Sequence, residues 1–185
     1  MGTPKALLDY QGQCFLDRLI ELFTLHCDPV VVALGHHAGT VRAGLRRANQ
    51  ARFVTNPDPD RGMLTSLQCA LGAIPCAVDG FLFTPVDHPA VSGSTIARLA
   101  AAFASAEARP ALVVPRFQAR HGHPVCASAE LRDEFLNLAH DGRASDVIHR
   151  HRNATLYVDV EDAGILTDVD RPEDYQRLLS SLATP

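Results

Sequence analysis

The chain has 185 residues, of which 46% are hydrophobic and 21% are charged. These fractions are typical of a globular protein and argue against a disordered chain. Its 17 basic and 21 acidic residues give a net charge of −4, which argues against a nucleic-acid-binding surface. No apolar run reaches the roughly 18 residues of a membrane span, and no secretory signal is visible. We therefore expect one domain over residues 1–185, a cytoplasmic location, and no nucleic-acid or membrane partner.

Apolar spacing predicts a strand or a helix for most of the chain. Phe15, Leu19, Leu22 and Phe23 fall on one face of a helix, and Val30–Leu34 is typical of a strand covered on both sides. Further helices are predicted at about 40–48, 63–74, 94–103, 129–138 and 144–151, and strands at 53–54, 81–83, 112–114, 124–127 and 156–158. A last helix is predicted after Asp170, with Tyr175, Leu178, Leu179 and Leu182 on one face. Residues 116–127 are less regular and are interpreted as an insertion over the sheet edge. The alternation predicts an α/β fold with a mostly parallel sheet.

The five cysteines are odd in number and have no C-x-x-C spacing. This pattern disfavours a disulfide framework or a zinc knuckle and predicts free, mostly buried thiols. The close histidine pairs also lack a third ligand at suitable spacing, so we expect solvated or substrate-contacting histidines rather than a zinc site.

Polar side chains follow three predicted strands at the sheet edge where ligands bind in open parallel sheets. They are His36 and His37, Asp87, and the pair Asp168 and Asp170. Asp87 lies in a proline-flanked turn, where it could bind a divalent cation or bond its own backbone. Asp170 begins a D-x-x-E sequence, so helix capping competes with metal binding there, and Asp168 could simply be solvated.

Lys5 is the only lysine beside 16 arginines. A lysine is a compact charge that can reach between phosphates, and Gly2 and Pro4 indicate a loop around it. The alternative is that its position is due to chance.

Ser94 is the predicted cap of the helix that follows Asp87.

Taken together, several segments resemble the MobA-like nucleotidyltransferases, and among them the molybdenum cofactor cytidylyltransferase group. They are MGTPKALLDYQG with FLDRLIELF, VVVALGHHAGTVRAGL, TNPDPDRGMLTSLQCAL, FLFTPVDHPAV, RHGHPV and LTDVDRPEDY. The resemblance implies a Rossmann-like three-layer sandwich of the nucleotide-diphospho-sugar transferase type. It also implies a reaction in which a nucleoside triphosphate is joined to a small phosphorylated acceptor, with Mg²⁺ as cofactor and release of pyrophosphate.

The resemblance assigns roles to single residues. Lys5 matches a phosphate-contacting lysine, Asp87 a catalytic magnesium ligand, and Asp170 the position of a second metal ligand. The nucleotide-binding matches are Gly62, Met63 and Ser66, and the acceptor-binding matches are Gly122, His123 and Pro124. The segment around Arg143 departs from the family pattern, so Arg143 is given no role.

The chain also departs from the family at its beginning, because relatives carry a strand and a glycine-rich loop before the M-G dipeptide. We expect that the 185-residue chain is shortened at its N-terminus, poorly active and prone to associate through a gap in its sheet. The bases upstream should then encode an apolar strand and a glycine- and serine-containing loop that ends in Arg.

Three functions remain open at the level of sequence. The first is transfer from CTP to the molybdopterin cofactor, favoured over GTP because MGTPK stands where guanylyl enzymes usually carry G-G-x-D-K. The second is transfer to a sugar phosphate or another small molecule. The third is a non-catalytic nucleotide- or cofactor-binding protein, with a molybdoenzyme or its chaperone as candidate partner. The base, the acceptor and the oligomeric state are not determined by the sequence.

Overall fold

A computed structural model describes residues 2–106, 108–139 and 141–182, so Met1 of the MGTPK motif lies outside it. The helices and strands, connected by short 3₁₀ turns, follow in chain order: β1 (Asp9–Tyr10), β2 (Gln13–Cys14), α1 (Phe15–Thr24), β3 (Val31–Leu34), α2 (Ala38–Gly44), β4 (Arg52–Thr55), α3 (Met63–Ala73), β5 (Gly80–Phe83), α4 (Gly93–Ser105), β6 (Leu112–Phe117), β7 (Arg120–His121), β8 (Val125–Ser128), α5 (Arg132–Leu136), α6 (Ala144–Arg150), β9 (Thr155–Asp159) and α7 (Pro172–Ser181).

The main sheet is mixed. Strand β8 lies between β5 and β6 and is antiparallel to both, whereas β9 is parallel to β6 on its other side. Strands β3 and β4 form a separate parallel pair. The reversed β8 and the short hairpin β6–β7 occupy the segment predicted as an irregular insertion. The predicted α/β fold is confirmed, with a sheet that is mixed rather than mostly parallel because β8 pairs antiparallel with both of its neighbours.

Helices cover both faces of the sheet. Neighbouring residues of each strand point to opposite faces, so they contact different helices. Phe81 packs with Leu71 of α3 and Phe135 of α5, whereas Leu82 packs against the cluster that contains Leu19 of α1 and Ile96 of α4. This places α3, α5 and α6 in one outer layer and α1 and α4 in the other. The architecture is therefore the three-layer sandwich that the resemblance implied.

Some local predictions were wrong. Ser92, not Ser94, caps α4, since its hydroxyl accepts a hydrogen bond from the Thr95 amide. The cysteines are free, but only Cys126 is buried, and Cys76 is exposed.

Within the described ranges, no helix is long and apolar enough to cross a membrane.

Candidate active site

A backbone hydrogen bond joins the turn after β5 to the segment before α7. The Val169 amide donates to the carbonyl of Asp87 at 2.9 Å, and Val169 itself is fully buried. This contact brings Asp87 and Asp170 to the same edge of the sheet, although 83 positions separate them in the sequence. Two of the three predicted strand-end clusters therefore form one site.

Lys5 lies between these two carboxylates. Its Nζ donates a hydrogen bond to Asp170 Oδ1 at 2.7 Å and lies 3.8 Å from Asp87 Oδ2. The Asp170 side chain is 64% exposed, whereas the Asp87 side chain is 23% exposed. The only lysine of the chain is thus the countercharge of one partly buried and one exposed carboxylate. Lys5, Asp87 and Asp170 together are called the charged cluster below.

Asp87 is the electrostatically unusual member of the charged cluster. Burial raises its pKa, and the neighbouring Asp170 also raises it, while His88 and Lys5 act in the opposite direction. Its Oδ1 is buried and has no hydrogen-bond partner among the described residues. A buried carboxylate oxygen without a donor retains its capacity to bind a cation.

The charged cluster fits a divalent cation that is shared with a substrate. In the part of the chain that the structure describes, no group of three His, Cys, Asp or Glu side chains could hold a metal ion alone. Two carboxylates are what Mg²⁺ commonly takes from a protein when substrate phosphates and water supply its other ligands. The unpartnered oxygen of Asp87 and the exposed Asp170 match that donor set.

Asp170 does not cap helix α7, contrary to one of the two sequence interpretations. The residue at the N-cap position is Arg171, and the Asp174 carboxylate accepts hydrogen bonds from the amides of Asp170 and Arg171. The D-x-x-E spacing was therefore one residue out of register. The Asp170 carboxylate instead accepts the hydrogen bond from Lys5.

A large cavity of about 1590 Å³ opens beside the charged cluster and is bordered by Lys5 and Asp87. Gly62, Met63 and Ser66, predicted on the nucleotide side, line it at the start of α3. Gly62 has φ +93°, a conformation that favours glycine. The side-chain amide of Asn56 donates to the Ser66 hydroxyl at 3.0 Å. Asn56 is 3% exposed and was not predicted as a site residue.

The predicted acceptor segment approaches the same cavity from the other side. His123 lines it, and its ring lies 4.8 Å from that of His88. Gly122 packs against Ile165 so closely that a Cβ would lie 2.1 Å from the Ile165 carbonyl oxygen. Gly122 and buried Pro124 thus shape the wall rather than line the cavity. Burial lowers the pKa of His123 to about 4, so the His123 ring is neutral at pH 7.

Two arginines on the cavity wall, Arg61 and Arg143, were not predicted as site residues. His36, from the third predicted strand-end cluster, also lines this wall. His36 Nε2 lies 2.7 Å from Asp60, and Arg61 Nε lies 3.4 Å from Asp58. Arg61 could have been noticed from its place directly before the Gly62-Met63 dipeptide, whereas Arg143 gives no signal without the fold. Together with Lys5, the two arginines supply positive charge suited to a polyphosphate.

The sequence profile described as the MobA-like NTP transferase domain matches residues 1–155. The chain belongs to this family. This MobA-like chain is accordingly a nucleotidyltransferase, with the charged cluster beside its cavity. It is 22% identical over 181 residues to the molybdenum cofactor cytidylyltransferase of Escherichia coli, covering 95% of this chain and 86% of that protein. It is 32% identical over 99 residues to the molybdenum cofactor guanylyltransferase of Sinorhizobium fredii, covering 54% and 45% of the two chains.

Solved structures support the same assignment of fold. Rv0371c from Mycobacterium tuberculosis superposes with a TM-score of 0.85 at 27% identity, covering 97% of this chain and 90% of that chain. A second structure of Rv0371c is a complex with manganese, with a TM-score of 0.82 at 26% identity over 96% and 92% of the two chains. That relative therefore binds manganese.

Proposed function

We propose that this MobA-like chain transfers the cytidylyl group of CTP to a phosphate of the molybdenum cofactor and releases pyrophosphate. The observation that carries the proposal is the charged cluster beside a cavity that is lined by the predicted nucleotide segment and by His123 of the predicted acceptor segment. The cytidylyltransferase relative supports the choice of nucleotide and acceptor, because its similarity extends over nearly the whole chain.

The reaction needs charge neutralisation and positioning more than covalent catalysis. An oxygen of the acceptor phosphate forms a bond to the α-phosphorus of CTP, and the bond from that phosphorus to the oxygen bridging to the β-phosphate breaks. The electron pair of the broken bond leaves with pyrophosphate. No side chain has to act as a nucleophile.

Each part of the site has a role in this proposal. Asp87 and Asp170 would hold Mg²⁺, which supplies neutralisation of phosphate charge when it is bound. Lys5 neutralises the charge that develops on pyrophosphate. Gly62, Met63 and Ser66 form the nucleotide wall. Gly122, His123 and Pro124 form the acceptor wall, where the neutral ring of His123 adds no charge.

Lys5→Met separates the roles within the charged cluster. Without the ammonium, Asp87 and Asp170 lose the countercharge that now competes for their oxygens. Titration calorimetry with Mn²⁺ should therefore give binding as tight as in the parent or tighter. Pyrophosphate release should fall by about 10²-fold or more, as for loss of one electrostatic stabiliser. Unchanged turnover, or loss of Mn²⁺ binding, would contradict these roles.

A guanylyl transfer is the second candidate. It is favoured by the 32% and 36% identities to two guanylyltransferases, which extend over about half of this chain. A clear preference for GTP over CTP in kcat/KM would replace the cytidylyl proposal and leave nucleotidyl transfer intact.

Release of pyrophosphate with a sugar phosphate instead of molybdopterin would replace the proposed acceptor. Calorimetric binding of nucleotide without pyrophosphate release would select the non-catalytic alternative.

A further inference from the structure

A stacked pair of rings lies next to the acceptor wall. The rings of His121 in β7 and Tyr157 in β9 have centroids 4.5 Å apart and an interplanar angle of 18°. Tyr157 is half-buried, whereas His121 is exposed. Because Tyr157 covers one side of the His121 ring, the other side of that ring is left to solvent. His121 and Tyr157 are called the ring platform below.

The positive charge beside the ring platform is already paired. The guanidinium of Arg116 lies 5.9 Å from the centroid of the Tyr157 ring. Arg116 forms an ion pair with Asp159 at 2.6 Å, and neither of these two residues is counted in the platform. A phosphate group is held by charge-assisted hydrogen bonds, whereas a planar ring is held by the face of another ring. The ring platform therefore suits a planar ligand better than a phosphate.

Strand directions place the ring platform at the edge of the sheet where Asp87 lies. Strand β8 is antiparallel to both β5 and β6, and β9 is parallel to β6, so β5, β6 and β9 run in one direction. Asp87 follows the carboxyl end of β5, and His121 pairs with Arg116, one residue before the end of β6. The ring platform and the charged cluster therefore lie at the same edge, where ligands bind in open α/β sheets.

The ring platform also shares a face of the sheet with His123. Phe83 has its ring centroid 6.3 Å from that of His123, and both Phe83 and Tyr157 pack against the core cluster below α3, α5 and α6. Gly122, the residue between the two histidines, lies against the opposite face. Alternation along an extended segment then directs His121 and His123 to the same side.

The ring platform lies outside the cavity, beyond His123. His123 lines the cavity that Asp87 borders, whereas neither ring of the platform lines it. Strands β5 and β6 are two positions apart in the sheet, which corresponds to roughly 10 Å. A ligand that has a phosphate near Asp87 and extends past His123 by about this length therefore reaches the ring platform.

We propose that the ring platform is the part of the acceptor site that binds a planar heteroaromatic ring, which stacks on the solvent side of His121. This assignment rests on the proposed function, in which the acceptor is molybdopterin, a pterin that carries a phosphate. Aromatic side chains bind such rings through their flat faces. A sugar phosphate has no planar ring to stack, so the platform selects ring-bearing acceptors over sugar phosphates.

Steady-state pyrophosphate release with molybdopterin as the varied substrate tests this role. His121→Ala removes the exposed ring, and the KM for molybdopterin should rise about 5-fold or more, as for the loss of one stacked ring. The kcat and the KM for CTP should stay at parental values, because the lost contact is the same in the ground and transition states. His121→Phe keeps a flat ring and should retain the parental KM. The matched control is His149→Ala, which removes an exposed histidine of α6 away from the platform.

A binding measurement that needs no turnover uses 6-hydroxymethylpterin, which has the ring and no phosphate. In NMR spectra, this pterin should shift the ring resonances of His121 and Tyr157 in the parent. The Tyr157 resonances of His121→Ala should stay in place. Ribose 5-phosphate, which has a phosphate and no planar ring, should shift neither residue.

The two measurements separate this proposal from the proposed function. Shifts at the ring platform without pyrophosphate release would refute the transfer and keep the platform. Release with an unchanged KM for molybdopterin in His121→Ala would overturn the platform and keep the transfer. Equal rises in the KM for molybdopterin and for CTP, or ring resonances that the pterin does not move, would also overturn the platform, since His121 would then have only a structural role.

Discussion

Replacing Asp87 by asparagine should separate activity from stability. The Asp87 carboxylate lies 3.8 Å from Lys5 Nζ, a raw attraction of about 4 kcal/mol at an effective dielectric constant of ~20, before the cost of desolvation. Burial nevertheless raises the pKa of Asp87, so the environment disfavours its charged form overall. The asparagine side chain is neutral and nearly isosteric, and we expect a melting temperature at pH 7 that is not lower than that of the parent. Turnover should fall by about 10²–10³, or roughly 3–4 kcal/mol in barrier.

The pH dependence gives the sign of the stability effect. Because the pKa of Asp87 is higher in the folded than in the unfolded chain, the folded protein binds this proton more tightly. The parent should therefore gain stability relative to Asp87→Asn as the pH falls through the folded pKa, and lose it as the pH rises. Urea unfolding from pH 3 to pH 8 measures this difference.

The matched control for Asp87→Asn is Asp159→Asn. Asp159 pairs with Arg116 at 2.6 Å on the surface, and its side chain is 72% exposed. An exposed ion pair contributes little, so we expect near-parental stability and turnover. Near-normal turnover of Asp87→Asn at saturating Mg²⁺ would remove Asp87 from the mechanism, and an equal loss in Asp159→Asn would point to a general charge effect.

Three further predictions concern the surroundings of the charged cluster. Asp170→Ser should reduce turnover without changing the melting temperature, whereas Asp174→Ala should lower the melting temperature, because the Asp174 carboxylate accepts from the Arg171 amide at the start of α7. Unchanged turnover in Asp170→Ser would contradict its metal role. Gly122→Ala should destabilise the protein by about 1–3 kcal/mol, because the added Cβ clashes with the Ile165 backbone. Gly72→Ala has open space in helix α3 and should stabilise the protein by up to about 1 kcal/mol. Equal unfolding midpoints of the two variants in urea would contradict the predicted difference. Since the pKa of His123 is lowered to about 4, the free energy of unfolding should increase as the pH rises from 4 to 6.5. His123→Phe should reduce this increase in pH-dependent unfolding. An unchanged pH dependence in the variant would assign the increase to other groups.

Periodicity was sufficient for the long helices and the apolar strands. Helix α1 was predicted from Phe15 and observed at Phe15–Thr24, and α3 was predicted from Met63 and observed at Met63–Ala73. In each of these segments the apolar residues follow a single helical periodicity. Asp87 was identified as a candidate because a carboxylate after an apolar strand lies at a defined edge of the sheet.

The remainder depended on interactions that spacing along the chain does not encode. The hairpin of β1 and β2 rests on a turn in which Gln11 and Gly12 both have positive φ, and its strands are two residues long. The reversed direction of β8 is set by tertiary pairing. The role of Asp170 was ambiguous because Glu173 and Asp174 both offer a carboxylate near the helix start, and only geometry shows that Asp174 is used.

Pyrophosphate release tests the central claim most directly. The assay compares CTP, GTP, ATP and UTP, each with Mg²⁺, with and without molybdopterin, for the 185-residue chain. We predict release that requires molybdopterin and is fastest with CTP. Absence of molybdopterin-dependent release with all four nucleotides would contradict the proposed transfer.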